Sequence, residues 1–486
     1  MKSPRIHNLN DILIMAEQIK GEIGSNEFFD LGNQHDYNPE DVVSRMPDDI
    51  LITILSYLTV KEAAVTSHLS KRWRHLWRRT VHLDFEDNGR KEQILLQPKL
   101  RLPARNRYIN WVNRVMCHHN SPMIEDFVIS FNLDKQSKGA ITKWIEFAMS
   151  KNVQNLELNL MEDEDGFSDD VRNFVFPIKI FIKKTRLSCR QHSMNVPPMP
   201  FTMVREIKFL KTLILKCVNI NDETIGEMMK SCQVLEHLHI HNSGHLVKLI
   251  IRGPALALRK LEIRQCLGLQ SIEIRDSNLA LFEYLGSGIP LTLNNNPSLE
   301  TVYLGAGYSG IENNLFQQIS GCLPYLRNLR LNIYRPKNNM HLLSFPEMPK
   351  VKEFSIIVGA WNDDSLLGLT CLAKACPNLQ EFKIQLIWIT PVITAREIMH
   401  GMRHTHKHLE VVEIAGYFGR TSDLELALYF YDNSVALKKI VVCPAYPTMS
   451  RKPISSDILR KQRLARLAAR LQLGHRISRG VELVIF

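Results

Sequence analysis

The chain has 486 residues, of which 45% are hydrophobic and 23% charged, and it carries a formal net charge of +11. That length predicts about three domains, and the composition is that of an ordinary folded protein rather than a collagen-like, disordered or disulfide-dense one. No stretch approaches the roughly eighteen consecutive apolar residues of a bilayer-crossing helix, so none is expected. The nine cysteines are an odd number, scattered and without a Cys-x-x-Cys pair, which predicts reduced thiols and a nuclear or cytoplasmic protein.

Residues 1–41 read as a poorly determined leader. Its apolar run, Ile12 to Ala16, is short and follows Asp11, which does not predict a signal peptide. The stretch from Ser44 to Arg79 predicts two or three short helices. Pro47 pre-sets the φ of a first turn, and Asp48 and Asp49 place negative charge there. Ile50, Leu51, Ile54, Leu55 and Leu58 then recur along one helical face. A second helix runs from about Val60 to Thr66, and Ser67 or Ser70 caps a third, in which Trp73 and Trp77 lie on one side. A segment of about 35 residues is too small to close a core of its own around that much apolar surface, so much of the surface is expected to belong to a partner.

Val81 to Phe85 alternates like a strand, residues 86–100 read as a charged connector, and then a repeat begins. The template apolar-x-x-apolar-x-apolar appears at Ile124/Phe127/Ile129, Val153/Leu156/Leu158, Leu210/Leu213/Leu215, Leu235/Leu238/Ile240 and Leu258/Leu261/Ile263. It recurs at Leu299/Val302/Leu304, Leu326/Leu329/Leu331, Val351/Phe354/Ile356, Leu379/Phe382/Ile384, Leu409/Val412/Ile414 and Leu437/Ile440/Val442. Steps of about 20 to 30 residues are those of leucine-rich repeats, each a strand with a return segment that must stack on its neighbours. Between 246 and 284 the triplets Leu246/Leu249/Ile251, Leu269/Ile272/Ile274 and Leu279/Phe282/Tyr284 interleave at shorter steps. Coils that short predict strands on both faces. Return helices are expected at 140–149, 221–231 and 364–374, and the prolines at 197, 198 and 200 mark a loop after a degenerate repeat near 180–188. Val481 to Phe486 reads as a last strand covering the exposed edge.

Two stretches carry a family resemblance. The run Met46-Pro47-Asp48-Asp49-Ile50-Leu51 through Thr66-Ser67-His68-Leu69-Ser70-Lys71-Arg72-Trp73-Arg74-His75-Leu76-Trp77 resembles the F-box of plant F-box proteins with leucine-rich repeats and a C-terminal FBD region. His408 to Gly419, the helix Leu424 to Tyr431 and the strand Leu437 to Val442 are similar to that FBD region. The resemblance implies an α/β protein: a helical F-box module (42–85), a connector (86–123), a leucine-rich-repeat solenoid (124–399) and an FBD-like cap (400–486). It further implies a non-enzymatic substrate-recognition subunit of an SCF-type cullin–RING ubiquitin ligase. The F-box would dock a Skp-type adaptor, and through it the cullin and RING subunits, by way of Met46, Pro47, Ile50, Leu51, Ile54, Leu55, Leu58, Trp73, Leu76 and Trp77. The repeats would bind a target protein that the sequence does not name. The alternative is a repeat scaffold or nucleic-acid-associated protein outside ubiquitination.

Other candidates for chemistry read more plainly. Gly305-Ala-Gly307-Tyr-Ser-Gly310 matches a dinucleotide fingerprint, yet no Asp or Glu follows between Asn313 and Pro346 to hold a ribose, so a repeat loop is expected and no cofactor. His404, His406 and His408 alternate as metal ligands do, but without a carboxylate or thiol to complete the set. Cys117 beside His118 and His119 would point in different directions on a helix, and no metal or catalytic residue is expected. The positive charge is local. Lys71, Arg72, Arg74, Arg78 and Arg79 form one basic cluster, and a second lies in residues 451–479, whose helix from Ser456 to Gly474 is expected to pack Leu464, Leu467 and Leu471 on its own domain. A near-neutral remainder disfavours a nucleic-acid stripe.

Overall fold

The computed structural model describes residues 46–161, 172–185, 201–253, 256–306, 315–333, 345–391, 396–445, 455–478 and 480–486. The leader, the prolines at 197–200, and Gly307 and Gly310 of the glycine run lie outside them. The chain divides into two compact units, one of Met1–Glu162 with Lys208–Leu215 and the other of Asp163–Ile207 with Lys216–Phe486.

In chain order the helices are α1 (Asp48–Ser56), α2 (Val60–Val65), α3 (Trp73–Leu76), α4 (Asn88–Leu96), α5 (Arg101–His118), α6 (Lys138–Ser150), α7 (Asp222–Ser231), α8 (Leu315–Gln318), α9 (Thr370–Lys374), α10 (Thr421–Asn433) and α11 (Ser456–Leu473). The strands begin with β1 (His82–Glu86), β2 (Asp126–Ser130), β3 (Asn155–Asn159), β4 (Phe174–Val175), β5 (Ile182–Thr185), β6 (Phe201–Val204) and β7 (Thr212–Lys216). Next come β8 (Val218–Asn219), β9 (His237–His241), β10 (Lys248–Arg252), β11 (Lys260–Arg264), β12 (Ser271–Arg275), β13 (Leu281–Gly286) and β14 (Leu291–Asn294). The last are β15 (Thr301–Ala306), β16 (Asn328–Ile333), β17 (Glu353–Asn362), β18 (Glu381–Pro391), β19 (Val411–Ala415), β20 (Lys439–Cys443) and β21 (Glu482–Ile485).

In the first unit the F-box helices precede a parallel sheet ordered β1-β2-β3-β7. Residues 86–123, expected to be a connector, are instead the return segment of a first repeat, because β1 pairs in register with β2 and the helices α4 and α5 lie between them. The charged exterior of α5 hid an inner face of Tyr108, Val112 and Val115. Tyr108 is wholly buried, stacks on Phe131 at 4.3 Å and donates its hydroxyl to the Phe85 carbonyl.

In the second unit the main sheet runs β9-β11-β13-β15-β16-β17-β18-β19-β20-β21. Its register lines Leu238, Leu261, Phe282, Val302, Leu329, Phe354, Phe382, Val412 and Ile440 into one apolar row. Ile240, Ile263, Tyr284, Leu304, Leu331, Ile356, Ile384, Ile414 and Val442 form a second, and both are buried. The middle and last positions of the repeat template are therefore the two inward positions of a short strand, spaced by the two-residue alternation of the pleat. Asn242, Gln265, Asp276 and Asn295 follow their strands in the left-handed region, at φ from 51° to 57°, and turn the chain out of the sheet.

A separate parallel sheet of β10, β12 and β14 alternates with the main strands, as the shortened steps predict. The third short-step triplet, Leu279/Phe282/Tyr284, belongs instead to β13 of the main sheet. The missing member is β14, whose Leu291 and Leu293 face inward without the full template. Helix α7 forms where expected, with the Asn221 side chain accepting from the Thr224 amide. In 364–374 only Thr370–Lys374 is α-helical, after a 3-10 turn at Leu367–Leu369.

The last strand, β21, pairs with β20 and covers its edge. The expectation for α11 is reversed. Ala465, Ala469 and Leu473 face inward, while Leu464, Leu467 and Leu471 are more than half exposed. The cause is close approach: a Cβ on Gly419 would come within 2.5 Å of the Ala468 side chain, and Gln472 bonds both the Tyr417 hydroxyl and the Gly419 carbonyl. Only small residues allow that distance, so the alanines take the inside.

Two outcomes test this packing. Phe382→Ala empties a wholly buried site between Phe354 and Phe430 and is expected to cost about 3–5 kcal/mol, read as the shift in a denaturant titration. In the first unit the His82 imidazole lies 2.6 Å from the Asp126 carboxylate. That hydrogen bond raises the His82 pKa above its ordinary 6.5 and lowers that of Asp126 below 3.8. The His82 contribution is thus fully present below pH 6.5 and lost as pH rises through the higher folded value. His82→Gln should therefore destabilise more at pH 6 than at pH 9, in urea titrations at both pH values.

Candidate functional site

The F-box closes as a small core of its own. Pro47 opens α1, and the Leu51 amide bonds back to its carbonyl. Thr59 caps α2 in a reciprocal box: its hydroxyl accepts from the Glu62 amide at 3.3 Å, and the Glu62 carboxylate accepts from the Thr59 amide at 2.9 Å. The Ser70 hydroxyl, rather than Ser67, meets the Trp73 amide at the start of α3.

These turns bring Met46, Leu51, Ile54, Leu55, Ala63, Trp73 and Leu76 together as a buried cluster, with Ile50, Ile52, Leu58 and Trp77 packed against it in part. Of the ten residues assigned above to an adaptor, Met46, Leu51, Ile54, Leu55, Trp73 and Leu76 therefore face inward and hold the module together. The expectation that this segment cannot close a core needs correcting to match. Three helices crossing over two aromatic and several aliphatic side chains, anchored on β1, suffice. Pro47 is exposed, and Ile50, Leu58 and Trp77 are half-buried.

The apolar residues that the module leaves outside are ones that helical periodicity did not select. Tyr57 is 38% exposed, Val65 65% and Leu69 57%. Val65 and Leu69 are four apart across the end of α2 and the following 3-10 turn, a spacing that could have revealed them once Leu51 and Leu55 were assigned inward.

Charge also reads differently in three dimensions. Arg72 bonds the Asp48 carboxylate at 2.7 Å and the Met46 carbonyl, and Arg79 lies 3.4 Å from Asp49, so part of the basic cluster neutralises the first turn of α1. At the junction with the first repeat, Lys61 lies 3.0 Å from the buried Asp87 carboxylate and 4.6 Å from the centre of the Trp111 ring. The Asn120 and Glu125 amides bond the Arg78 and Val81 carbonyls, which ties the end of the module to β2.

The remaining sequence candidates resolve into structural roles. His406 is buried against Tyr429 and Phe430, and burial lowers its pKa to about 4, whereas His408 is exposed, so the three imidazoles do not converge. His119 bonds the Thr80 carbonyl and His118 the Arg114 carbonyl, each away from the exposed Cys117. Gly305 sits in β15 against Leu285 and Asn332. Among the described residues no helix is long and apolar enough to cross a membrane.

Trp73→Ala should cost about 3–5 kcal/mol of module stability, seen as an earlier-melting transition in calorimetry of the full chain.

Comparisons with known proteins agree with this architecture. Residues 43–82 match the F-box domain model, and residues 115–486 match the model described as At1g61320/AtMIF1, LRR domain. The F-box/LRR-repeat protein At3g03360 of Arabidopsis thaliana is 30% identical over 364 residues, covering 71% of this chain and 70% of the relative. The F-box/FBD/LRR-repeat protein At5g22660 of the same plant is 21% identical over 83% of this chain and 90% of its own length. For the F-box/LRR-repeat protein At3g59200, 28% identical, the match spans 43% of this chain and 38% of the relative. With a repeat model spanning most of the chain and an F-box model at its head, this protein belongs to the F-box/LRR-repeat family.

Proposed function

We propose that the chain is a substrate-recognition subunit of an SCF-type cullin–RING ubiquitin ligase, working in the nucleus or cytoplasm. Its F-box docks a Skp-type adaptor, which carries the cullin and RING subunits, and its repeats hold a target protein. The thioester chemistry belongs to other subunits, so this chain is not itself an enzyme. The observation that carries the reading is a self-closed F-box module that still presents Tyr57, Val65 and Leu69 to solvent. Exposed apolar residues on a module whose own core is satisfied are what a protein interface requires. The buried six act by keeping that surface in shape.

Parallel repeats covalently joined to the adaptor end would hold a target near the ubiquitin donor and raise the effective concentration of the reacting groups. The two readings separate on the adaptor. Full-length chain should retain a Skp-type adaptor in a pull-down, and Val65→Glu with Leu69→Glu should weaken retention at least tenfold without moving the melting transition. An unmutated chain that fails to retain any Skp-type adaptor would favour the scaffold reading and overturn this one.

A further inference from the structure

A cluster that the repeat pattern itself hides lies in the second unit. In β9 the template consumes Leu238 and Ile240 as inward residues, so His237, His239 and His241 alternate onto the opposite face. Glu262 of β11 stands directly across from His239 in the register. One donor atom from each of His237, His239 and Glu262 lies within 4.8 Å of the others. His239 Nδ1 is 3.1 Å from Glu262 Oε2, and His237 Nε2 is 3.6 Å from Glu262 Oε1. A tetrahedral zinc ion with bonds of about 2.0–2.1 Å places neighbouring donors roughly 3.4 Å apart, close to each of these two separations, which run to different oxygens of the Glu262 carboxylate.

We propose that His237, His239 and Glu262 form a binding site for a divalent transition-metal ion of the zinc class. Two imidazoles and one carboxylate are the donor set such ions favour, and all three rise from adjacent strands of a hydrogen-bonded sheet. His239 and Glu262 are more than nine-tenths buried, and the Nε2 atoms of His237 and His239 are buried without a hydrogen-bond partner. Coordination through His239 Nδ1 uses the tautomer with its proton on Nε2, and the ion then replaces the direct contact between Nδ1 and the Glu262 carboxylate.

The surrounding charges define the competition. Lys260 places its ammonium on Glu262, Arg264 is turned to Glu283 at 2.7 Å and lies 3.7 Å from Glu262, and Gln265 holds His241 at 2.9 Å. Lys260, whose side chain is 42% exposed, must swing into solvent for an ion to enter. Three protein donors then leave a position for water or for a donor from a bound protein. The site stands independently of the ligase reading.

The test is calorimetric titration of chelator-stripped full-length chain with zinc chloride, and with cobalt chloride followed by visible absorption. The expected result is one equivalent bound and the d–d bands of a four- or five-coordinate cobalt ion. His237→Asn with His239→Gln should weaken binding about 100-fold or more, and Glu262→Gln about 10- to 100-fold. Lys260→Met should tighten it, which a purely structural role for the cluster would not produce. His404→Gln should change nothing. No binding by the unmutated chain, or equal stoichiometry in the folded double variant, overturns the proposal; circular dichroism establishes that the variants fold.

Discussion

A parallel strand of five residues can neither satisfy its own backbone nor bury its own inner side chains, and everything else in the repeat region follows from that constraint. Each strand borrows both from its neighbours, so Leu261 is covered by Leu238 on one side and Phe282 on the other, and the pattern passes along the sheet to Ile440. A chain built this way must repeat its apolar positions at fixed offsets. It must also leave the strand at the same place each time, which is why left-handed residues recur at strand ends. It must finally cover the last strand. β21 does so for β20, and α11 lies against the same region through its alanines.

The F-box answers a different constraint. With few residues, it closes by crossing three short helices over Trp73, with the Thr59 and Glu62 side chains capping the second and the Ser70 hydroxyl at the start of the third. Residues that look available on a helical wheel are used up in that closure. What the module offers to the outside is set by which side chains are left over, and these are Tyr57, Val65 and Leu69. The same inversion occurs in α11, whose Leu464, Leu467 and Leu471 face solvent while Gly419 comes too close to Ala468 for anything larger than alanine there.

Polar groups are placed by the same geometry. Alternation along a strand that buries Leu238 and Ile240 puts His237, His239 and His241 on one face, and strand pairing brings Glu262 beside them. Near the C-terminal end, Glu425 is fully buried within α10 and is held by Arg396 and by the Met399 amide. Asp423, two residues earlier, accepts from three successive amides, Phe418 to Arg420. Breaking such a pair leaves a charge without compensation, whereas the intact network fixes where α10 begins.

The repeated apolar triplets, most of the inward residues, the interleaved short-step stretch between 246 and 284 and the covering last strand were legible in the sequence by itself, because each rests on a periodicity that the backbone imposes locally. The F-box helices were legible for the same reason. Only the tertiary structure decided which face of those helices is core, that α4 and α5 are a repeat's return rather than a connector, and that Leu464, Leu467 and Leu471 of α11 point outward. Those outcomes depend on how closely two distant segments approach, a distance that no pattern along one segment encodes. The His237, His239 and Glu262 cluster lies between the two cases. The histidine alternation is written in β9, and the carboxylate that completes it arrives only through the register of the neighbouring strand.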